Sequence, residues 1–260
     1  MQTDPRPSST PWSRPRGEAN IPVDQVPGTH GLGEVSNTEH GQRSAMAMTF
    51  MNHVFGWMSA GLALSGAVAW LVMNSASAYA AVSSWYLPLV IGELGLVLFL
   101  SARLHKLSAT TAAAMFLTYA ALNGLTLGVI VFMYTQTSVA RVFFITSGTY
   151  GAMAFIGATT KKDLTGMGSF LMMGVIAILI AMVVNLFLAS SALHWAISVI
   201  GALVFAGLTA YDVQKFKAAG YMGFKTSREA SQMAIRGALN LYLDFINMFL
   251  FMLRLFGDRR

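Results

Sequence analysis

The sequence contains no cysteine and few charged residues. The absence of cysteine from the 260 residues excludes disulfides, thiolate metal sites and cysteine nucleophiles. Charged residues make up 11% of the chain and hydrophobic residues 55%, whereas a soluble domain usually carries about 25% charged residues. The mean hydropathy of +0.57 reflects this excess of hydrophobic residues. The composition therefore predicts a polytopic membrane protein and argues against an ordinary soluble enzyme.

The common enzyme motifs are also missing. The sequence has no Gly-x-x-x-x-Gly-Lys phosphate loop, no His-Glu-x-x-His zinc motif and no Gly-x-Ser-x-Gly elbow. His53, His105 and His194 fall in different segments without paired spacing, so they do not indicate a metal site. We therefore predict a protein that is not an enzyme and that has no cofactor. The pI near 9.7 is attributed to basic loops beside anionic lipid, so no nucleic acid partner is expected.

Residues 1–44 are polar and rich in proline. Six of the seven prolines lie here, at Pro5, Pro7, Pro11, Pro15, Pro22 and Pro27. Such a segment cannot bury enough apolar surface to fold, so it predicts a disordered cytoplasmic tail. A signal peptide would place an apolar run directly after a basic start, and we therefore expect the first hydrophobic helix to be an uncleaved start of the membrane domain.

Seven apolar stretches follow, and each is near the roughly 20 residues that cross the hydrocarbon core. None shows the strict alternation of a membrane β-strand, and helices satisfy their own backbone hydrogen bonds in lipid. The sequence predicts an all-α membrane protein, with a seven-transmembrane-helix domain over residues 45–260. The predicted spans are approximately 48–73, 82–102, 109–134, 140–160, 168–190, 193–213 and 237–256.

Basic residues predict the orientation of this bundle. Cytoplasmic loops retain Lys and Arg, and 13 of the 17 basic residues lie in the tail and in the second, fourth and sixth loops. The N-terminus is therefore expected to be cytoplasmic. If the seventh stretch crosses, Arg254, Arg259 and Arg260 lie outside, whereas a re-entrant stretch would return them inside. The charge rule favours re-entry and the apolar length favours crossing; we expect crossing.

Three acidic residues lie within the predicted spans, where an ionisable side chain costs roughly 2.5 to 3.5 kcal/mol on insertion scales. Each is a candidate functional residue, and each also has a structural interpretation. For Asp244 this is an internal hydrogen-bond network, for Asp212 an interfacial position, and for Glu93 a lone buried acid held protonated. Arg103, at the end of the second span, and Arg236, before the seventh, are the nearest basic partners.

Asp244 gives the strongest signal. Asn240, Asp244 and Asn247 are spaced four and three residues apart, so they share one face of the seventh helix. That face is expected to look into protein or water.

Asp212 and Asp244 form a pair if the last two helices are antiparallel neighbours. Two carboxylates in one low-dielectric site cannot cheaply both ionise, so the pair would share a proton and act as a pH sensor. At about 1.5 Å per residue, Asp212 lies roughly 4 to 5 Å inside Lys215, whereas Asp244 lies about 12 Å inside Arg236. The depths match only if one helix is displaced.

Five stretches together resemble a known family. They are Asn123-Gly-Leu-Thr-Leu127, Gly157-Ala-Thr-Thr-Lys-Lys-Asp-Leu164, Gly207-Leu-Thr-Ala-Tyr-Asp-Val-Gln-Lys215, Ala238-Leu-Asn-Leu-Tyr-Leu-Asp-Phe-Ile-Asn247 and Leu253-Arg254. In this order they resemble the Bax inhibitor-1 family, also called the transmembrane Bax inhibitor motif family, in its bacterial YccA-like branch. The resemblance covers about residues 45–257 and leaves out the tail.

The resemblance implies a bundle in which one hydrophobic helix is surrounded by six others, with the last helix near the centre. It also implies a calcium-permeable, pH-sensitive leak whose sensor is the aspartate pair, here Asp212 and Asp244. Arg103 is the nearest match to an arginine linked to that pair in the closed form, and Glu93 matches an acid of the second helix. Bacterial members of this branch are tied to a membrane protease, and eukaryotic members suppress cell death.

Two functional hypotheses follow. The leading one is a pH-gated leak channel, in which Asp212 and Asp244, with Asn240 and Asn247 beside them, contact permeating Ca²⁺ transiently and Arg103 holds the closed form. The alternative is a non-conducting regulator that binds a membrane quality-control protease or other membrane proteins. A membrane-embedded hydrolase has no motif in its favour. We expect a monomer in the lipid bilayer of a bacterial inner membrane, since the tail composition and the lack of an ER address favour it over an organelle.

Overall fold

The computed structural model describes residues 30–260, with side chains from residue 39 onward. The chain divides into two units, Met1–Gln42 and Arg43–Arg260. In the described part every regular element is helical, apart from an isolated bridge between Tyr134 and Arg259. The α-helices are α1 (His30–Met73), α2 (Ala76–Ser84), α3 (Tyr86–Arg103), α4 (Ala109–Phe132), α5 (Gln136–Thr159), α6 (Thr165–Leu188), α7 (Ser191–Met222) and α8 (Ser227–Phe256).

Seven of these helices are long and apolar enough to cross a membrane, which confirms the predicted fold class. They are α1 from Glu39, α3 with the 3-10 turn that follows it, and α4 to α8. Helix α2 was not predicted, because its residues 76–81 lie between the first two predicted spans and only its C-terminal end overlaps the second. At 1.5 Å per residue α2 is only about 14 Å long, so it cannot cross the hydrocarbon core.

Helix α1 begins earlier than expected. It starts at His30, so residues 30–44 are helical, although the sequence places them in the disordered tail. The last proline before this helix is Pro27 and the next proline in the chain is Pro88, so nothing in residues 30–44 forbids helical backbone. Residues 1–29 of the predicted tail lie outside the described residues.

Helix α8 lies near the centre of the bundle, as the family resemblance implied. In its most apolar stretch 61% of residues are buried, against 6% in α6. Helix α8 packs against α7, α5 and α4. Helix α6 has the highest hydropathy of the seven and is largely exposed at the periphery, where lipid would surround it.

Helix α8 crosses the whole bundle, so the re-entrant alternative is wrong. Near its start, Arg228 Nη2 donates to Leu107 O at 3.2 Å, beside the turn that precedes α4. Beyond its end, Thr135 N donates to Asp258 O at 2.9 Å, beside the turn that follows α4. The two ends of α8 therefore lie at the two ends of α4.

Glycine allows α5 and α7 to approach closely. A Cβ atom at Gly157 would overlap the backbone carbonyl of Ala210, which belongs to the rigid interior of α7. By contrast, a Cβ at Gly151, two turns earlier on α5, would meet no atom within 4 Å. The α5–α7 contact therefore depends on the missing side chain at Gly157.

We expect Gly157→Ala to destabilise the protein by about 1–3 kcal/mol, because overpacking forces the two backbones apart. The measurement is the thermal unfolding midpoint of the purified protein in detergent. Gly151→Ala is the matched control on the same helix and should hold or raise the midpoint, since alanine is the better helix former. An equal midpoint for the two variants would contradict the close-packing argument.

Candidate functional site

The first polar cluster joins α7 to α8. Asn240 Nδ2 donates to Asp212 Oδ2 at 3.0 Å, and Lys215 Nζ lies 3.4 Å from Asp212 Oδ1. Asp212 is 6% exposed, and the Lys215 side chain is 44% exposed. Each oxygen of the Asp212 carboxylate therefore has one partner, of which only the lysine carries charge. Asp212 is thus a buried residue of the helix interface, although its partner Lys215 reaches the surface.

Asp244 lies one turn deeper on α8 than Asn240 and has a different environment. It is also 6% exposed, and its carboxylate is within electrostatic range of Asp212. Its Oδ2 atom is buried and has no hydrogen-bond partner among the described residues. Nearby, Tyr150 OH donates to Leu241 O at 3.3 Å. The structure thus brings the two aspartates within electrostatic range of each other and leaves the buried Oδ2 of Asp244 without a hydrogen-bond partner among the described residues.

The sequence predicted different membrane depths for Asp212 and Asp244, and this difference has a simple cause. Helix α7 continues to Met222, so Lys215 does not mark its end. Asp212 is level with Asn240, through their hydrogen bond. Asp244 follows Asn240 by four residues, which is about 6 Å along the helix. The pair is therefore offset by about one helical turn, and no displaced helix is required.

The basic partner of Asp212 is Lys215, and the expectation for Arg103 was wrong on this point. Arg103 is exposed at the end of α3, and the ion pairs formed within residues 39–260 are Lys215–Asp212 and Arg141–Asp258. Lys215 follows Asp212 by three residues on the same helix, a spacing that brings side chains together. This spacing is visible in the sequence and could have identified the pair.

A second polar cluster surrounds Glu93, between α3 and α4. Thr126 Oγ1 donates to Glu93 Oε1 at 2.9 Å, and Asn123 Nδ2 lies 3.3 Å from Glu93 Oε2. Glu93 is 7% exposed. The acid is therefore hydrogen-bonded on both oxygens rather than a lone buried carboxyl, and it does not join the aspartate pair.

Tyr242 ties this second cluster to α8 and α1, and sequence reasoning missed it. Its hydroxyl donates to Asn123 Oδ1 at 2.9 Å and lies 2.6 Å from Ser65 Oγ. Side chains from α1, α3, α4 and α8 thus form one buried chain of hydrogen bonds. Asn247 joins neither cluster, because its amide donates to Leu243 O of its own helix at 2.8 Å.

The acidic residues do not form a closed metal site. Within the described part of the chain no three His, Cys, Asp or Glu side chains come together in a way that would hold a metal ion. Calcium usually takes six to eight oxygen ligands, and Asp212 and Asp244 supply at most four carboxylate oxygens. The pair by itself therefore supplies fewer ligands than tight calcium binding requires.

Two of the stretches that carry the family resemblance, 157–164 and 207–215, meet in space. The Gln214 side chain donates to Lys162 O at 2.8 Å and accepts from Leu164 N at 2.9 Å, so α7 is fixed to the turn between α5 and α6. In that turn Thr165 N donates to Asp163 Oδ1 at 2.9 Å, and hydrogen bonds from Thr165 lower the pKa of the Asp163 carboxyl. These contacts place the Gly157–Leu164 stretch beside the first polar cluster.

Removing the Tyr242 hydroxyl tests the second cluster. We expect Tyr242→Phe to lower stability by about 1–3 kcal/mol, because Asn123 Oδ1 and Ser65 Oγ lose a partner in the bundle interior. The measurement is again the unfolding midpoint in detergent. Tyr211→Phe is the matched control, since the Tyr211 hydroxyl forms no hydrogen bond with the described residues, and its midpoint should stay near that of the wild type. A Tyr242→Phe midpoint equal to that of the control would show that the network does not stabilise the fold.

Comparison with known proteins agrees with the resemblance. Residues 47–260 match the sequence profile of the family described as "Inhibitor of apoptosis-promoting Bax1". The chain is 46% identical over 223 residues to the "Inner membrane protein YbhL" of Escherichia coli (strain K12), with 84% of this chain and 95% of the relative covered. It is 44% identical over 211 residues to an "Uncharacterized protein" of Deinococcus radiodurans (81% and 91% covered). It is 42% identical over 226 residues to an "Uncharacterized protein" of Borreliella burgdorferi (86% and 97% covered). The matched profile includes both polar clusters.

Proposed function

Because the chain belongs to the Bax inhibitor-1 family, we propose that it is a pH-sensitive calcium leak pathway of a bacterial inner membrane, with Asp212 and Asp244 as the proton-binding pair. The name of the Escherichia coli relative supports the inner membrane as its location, and the distribution of basic residues supports a cytoplasmic N-terminus. The odd number of helices that are long and apolar enough to cross a membrane supports a C-terminus on the opposite side.

The observation that carries the proposal is the unpaired Oδ2 atom of Asp244. A buried polar group without a partner is costly, and a buried charge is more costly still. Asp212 has Asn240 and Lys215 as partners, but no described residue donates to Asp244 Oδ2. A proton or a passing cation would neutralise the Asp244 carboxylate. Competition between these two for the same oxygens makes the passage of calcium depend on pH.

The central experiment measures calcium entry into liposomes that hold the purified protein and a trapped calcium dye, over a series of pH values. Wild-type flux should depend on pH. An asparagine side chain is neutral at every pH, as a protonated aspartate is. We therefore expect the double variant Asp212→Asn/Asp244→Asn to give one flux at all pH values, equal to the wild-type flux at the acid end of the series.

The matched control is Asp258→Asn, which also converts a carboxylate to an amide. Asp258 is exposed and pairs with Arg141 at 2.9 Å, away from the first polar cluster. Its variant should keep the wild-type pH dependence. A pH dependence that survives in the double variant would refute the pair as the sensor. Flux no greater than in protein-free liposomes would refute the leak and favour the non-conducting regulator.

Lys215 offers an independent test of the same pair. Its ammonium group lies 3.4 Å from Asp212 Oδ1 and favours the charged carboxylate. We expect Lys215→Met to move the midpoint of the pH-dependent flux to higher pH, because the negative charge of the pair then loses the stabilisation that Lys215 provides. The measurement is the same liposome assay with finer pH steps.

Lys225→Met is the control for this variant, since Lys225 is exposed in the turn between α7 and α8 and its side chain forms no ion pair within residues 39–260. It should leave the midpoint unchanged. Equal midpoints for both lysine variants would exclude Lys215 as an electrostatic partner of the sensor.

A further inference from the structure

A second charged region lies at the other end of α7, where α6 ends, α7 begins and α8 ends. A cavity of about 380 Å³ is lined there by Arg254 and Arg259 from the C-terminal segment, together with His194, Asn185 and Ser191. Both guanidinium groups lie within electrostatic range of the His194 ring. Among the described residues, no acidic side chain lines the cavity. The excess of positive charge is therefore complementary to an anion.

The two arginines have no protein carboxylate to neutralise them within residues 39–260. The only ion pair at this end of the bundle in that range is Arg141–Asp258, at 2.9 Å. Arg254 is half-buried and lies 5.5 Å from the Phe251 ring centroid, while Arg259 is exposed and lies 5.9 Å from the Tyr134 ring centroid. Aromatic faces orient the guanidinium groups but leave their forked donors free to bind oxygen atoms.

The remaining polar groups of the cavity are also suited to an anion. Asn185 Oδ1 accepts from Ser190 N at 3.1 Å, so the Asn185 amide NH₂ is left as a donor. Ser190 caps α7 by accepting from Leu193 N at 3.3 Å, and the amide of Ser191 lies at the positive end of this 32-residue helix. His194 Nε2 is buried and has no hydrogen-bond partner among the described residues. The Asn185 amide and the start of α7 thus add donors to the two guanidinium groups.

An apolar compartment adjoins the charged cavity. It has a volume of about 230 Å³, shares Asn185, His194 and Arg254 with it, and is otherwise lined by Met182, Leu186 and Ile197. Leu186 is 80% exposed on the outer surface of α6, where lipid would surround the bundle. The site therefore has a basic part and an apolar part that continues into the lipid-facing surface.

From this arrangement we propose that the α6–α7–α8 cavity binds a phosphate group through Arg254, Arg259 and the start of α7, and that this phosphate belongs to an anionic membrane lipid. Bidentate donors and a helix N-terminus match phosphate oxygens. The apolar compartment accepts the glycerol end and the first part of an acyl chain. A free phosphate ion would use the basic part alone, so the two sources of phosphate can be distinguished.

The experiment uses Trp195, which lines the cavity and is 64% exposed. The full chain is reconstituted in phosphatidylcholine vesicles that contain increasing fractions of brominated phosphatidylglycerol or, separately, brominated phosphatidylcholine. Bromine quenches the fluorescence of nearby tryptophan. The quenching of Trp195 is obtained by subtracting the signal of the Trp195→Phe variant from that of the wild type. We expect the anionic lipid to quench Trp195 at lower mole fractions than the zwitterionic lipid. Arg254→Gln or Arg259→Gln should each raise the half-quenching mole fraction by about fivefold.

Arg260→Gln is the matched control, because it removes the same charge from the same end of the chain. Arg260 lies 5.4 Å from the Phe132 ring centroid and does not line the cavity. Its variant should keep the preference for phosphatidylglycerol. Arg259 is exposed, so its substitution tests the site even if Arg254→Gln fails to fold.

Inorganic phosphate provides the second arm. The unfolding midpoint in detergent is compared between sodium phosphate and sodium chloride at equal ionic strength, for the wild type and Arg259→Gln. Equal quenching by the two lipids, with a phosphate-dependent gain in midpoint that Arg259→Gln loses, would overturn the lipid assignment in favour of free phosphate. Equal quenching without such a gain would overturn the site. If Arg260→Gln weakens the preference for phosphatidylglycerol as much as Arg259→Gln does, general surface charge explains the preference. That outcome would also overturn the site.

Discussion

Polar side chains in the hydrocarbon core must find their partners within the protein, because no water is present there to replace them. This constraint determines where α8 lies. Asn240, Tyr242, Asp244 and Asn247 all belong to its membrane-spanning length, so α8 cannot face lipid and is surrounded by other helices. Helix α6, which has the highest hydropathy of the seven, needs less such protection and lies at the periphery. Since lipid tails are as apolar as leucine, burial of apolar surface alone would not distinguish these two positions.

The two polar clusters lie on opposite faces of α8. Tyr242 and Asp244 are two residues apart, which places them about 200° around a helix of 3.6 residues per turn. Tyr242 bonds toward α1 and α4, through Ser65 and Asn123, while Asp244 lies within electrostatic range of Asp212 of α7. A rotation or shift of α8 that supplied a partner to Asp244 would therefore strain the Tyr242 bonds. The state of the aspartate pair and the position of the central helix are linked by this geometry.

The sequence predicts the number of spanning helices well because hydropathy reports directly on contact with lipid. It predicts helix ends poorly where they leave the membrane: α7 continues to Met222 rather than 213, and α8 begins at Ser227 rather than 237. The residues of the candidate site were likewise predicted only in part. Asp212, Asp244 and Asn240 were identified by the cost of burying polar groups, but Arg103 was given the place of Lys215, since helix neighbours are not readable from hydropathy. Tyr242 was missed because a tyrosine in an apolar helix reads as core until its hydroxyl partners are known.

The basic C-terminal end weakens the charge argument for a re-entrant last helix. The positive-inside rule counts Arg254, Arg259 and Arg260 as charges that resist transfer across the membrane. In the structure the segment is fixed to the turn between α4 and α5: Arg260 N donates to Met133 O at 3.0 Å, and Arg141 is neutralised by Asp258. The arginine side chains lie against aromatic rings or line the α6–α7–α8 cavity. Basic residues whose charges find local partners, in the protein or in a lipid phosphate, do not oppose the crossing of α8. The charge rule and the apolar length of the last helix are then both compatible with crossing.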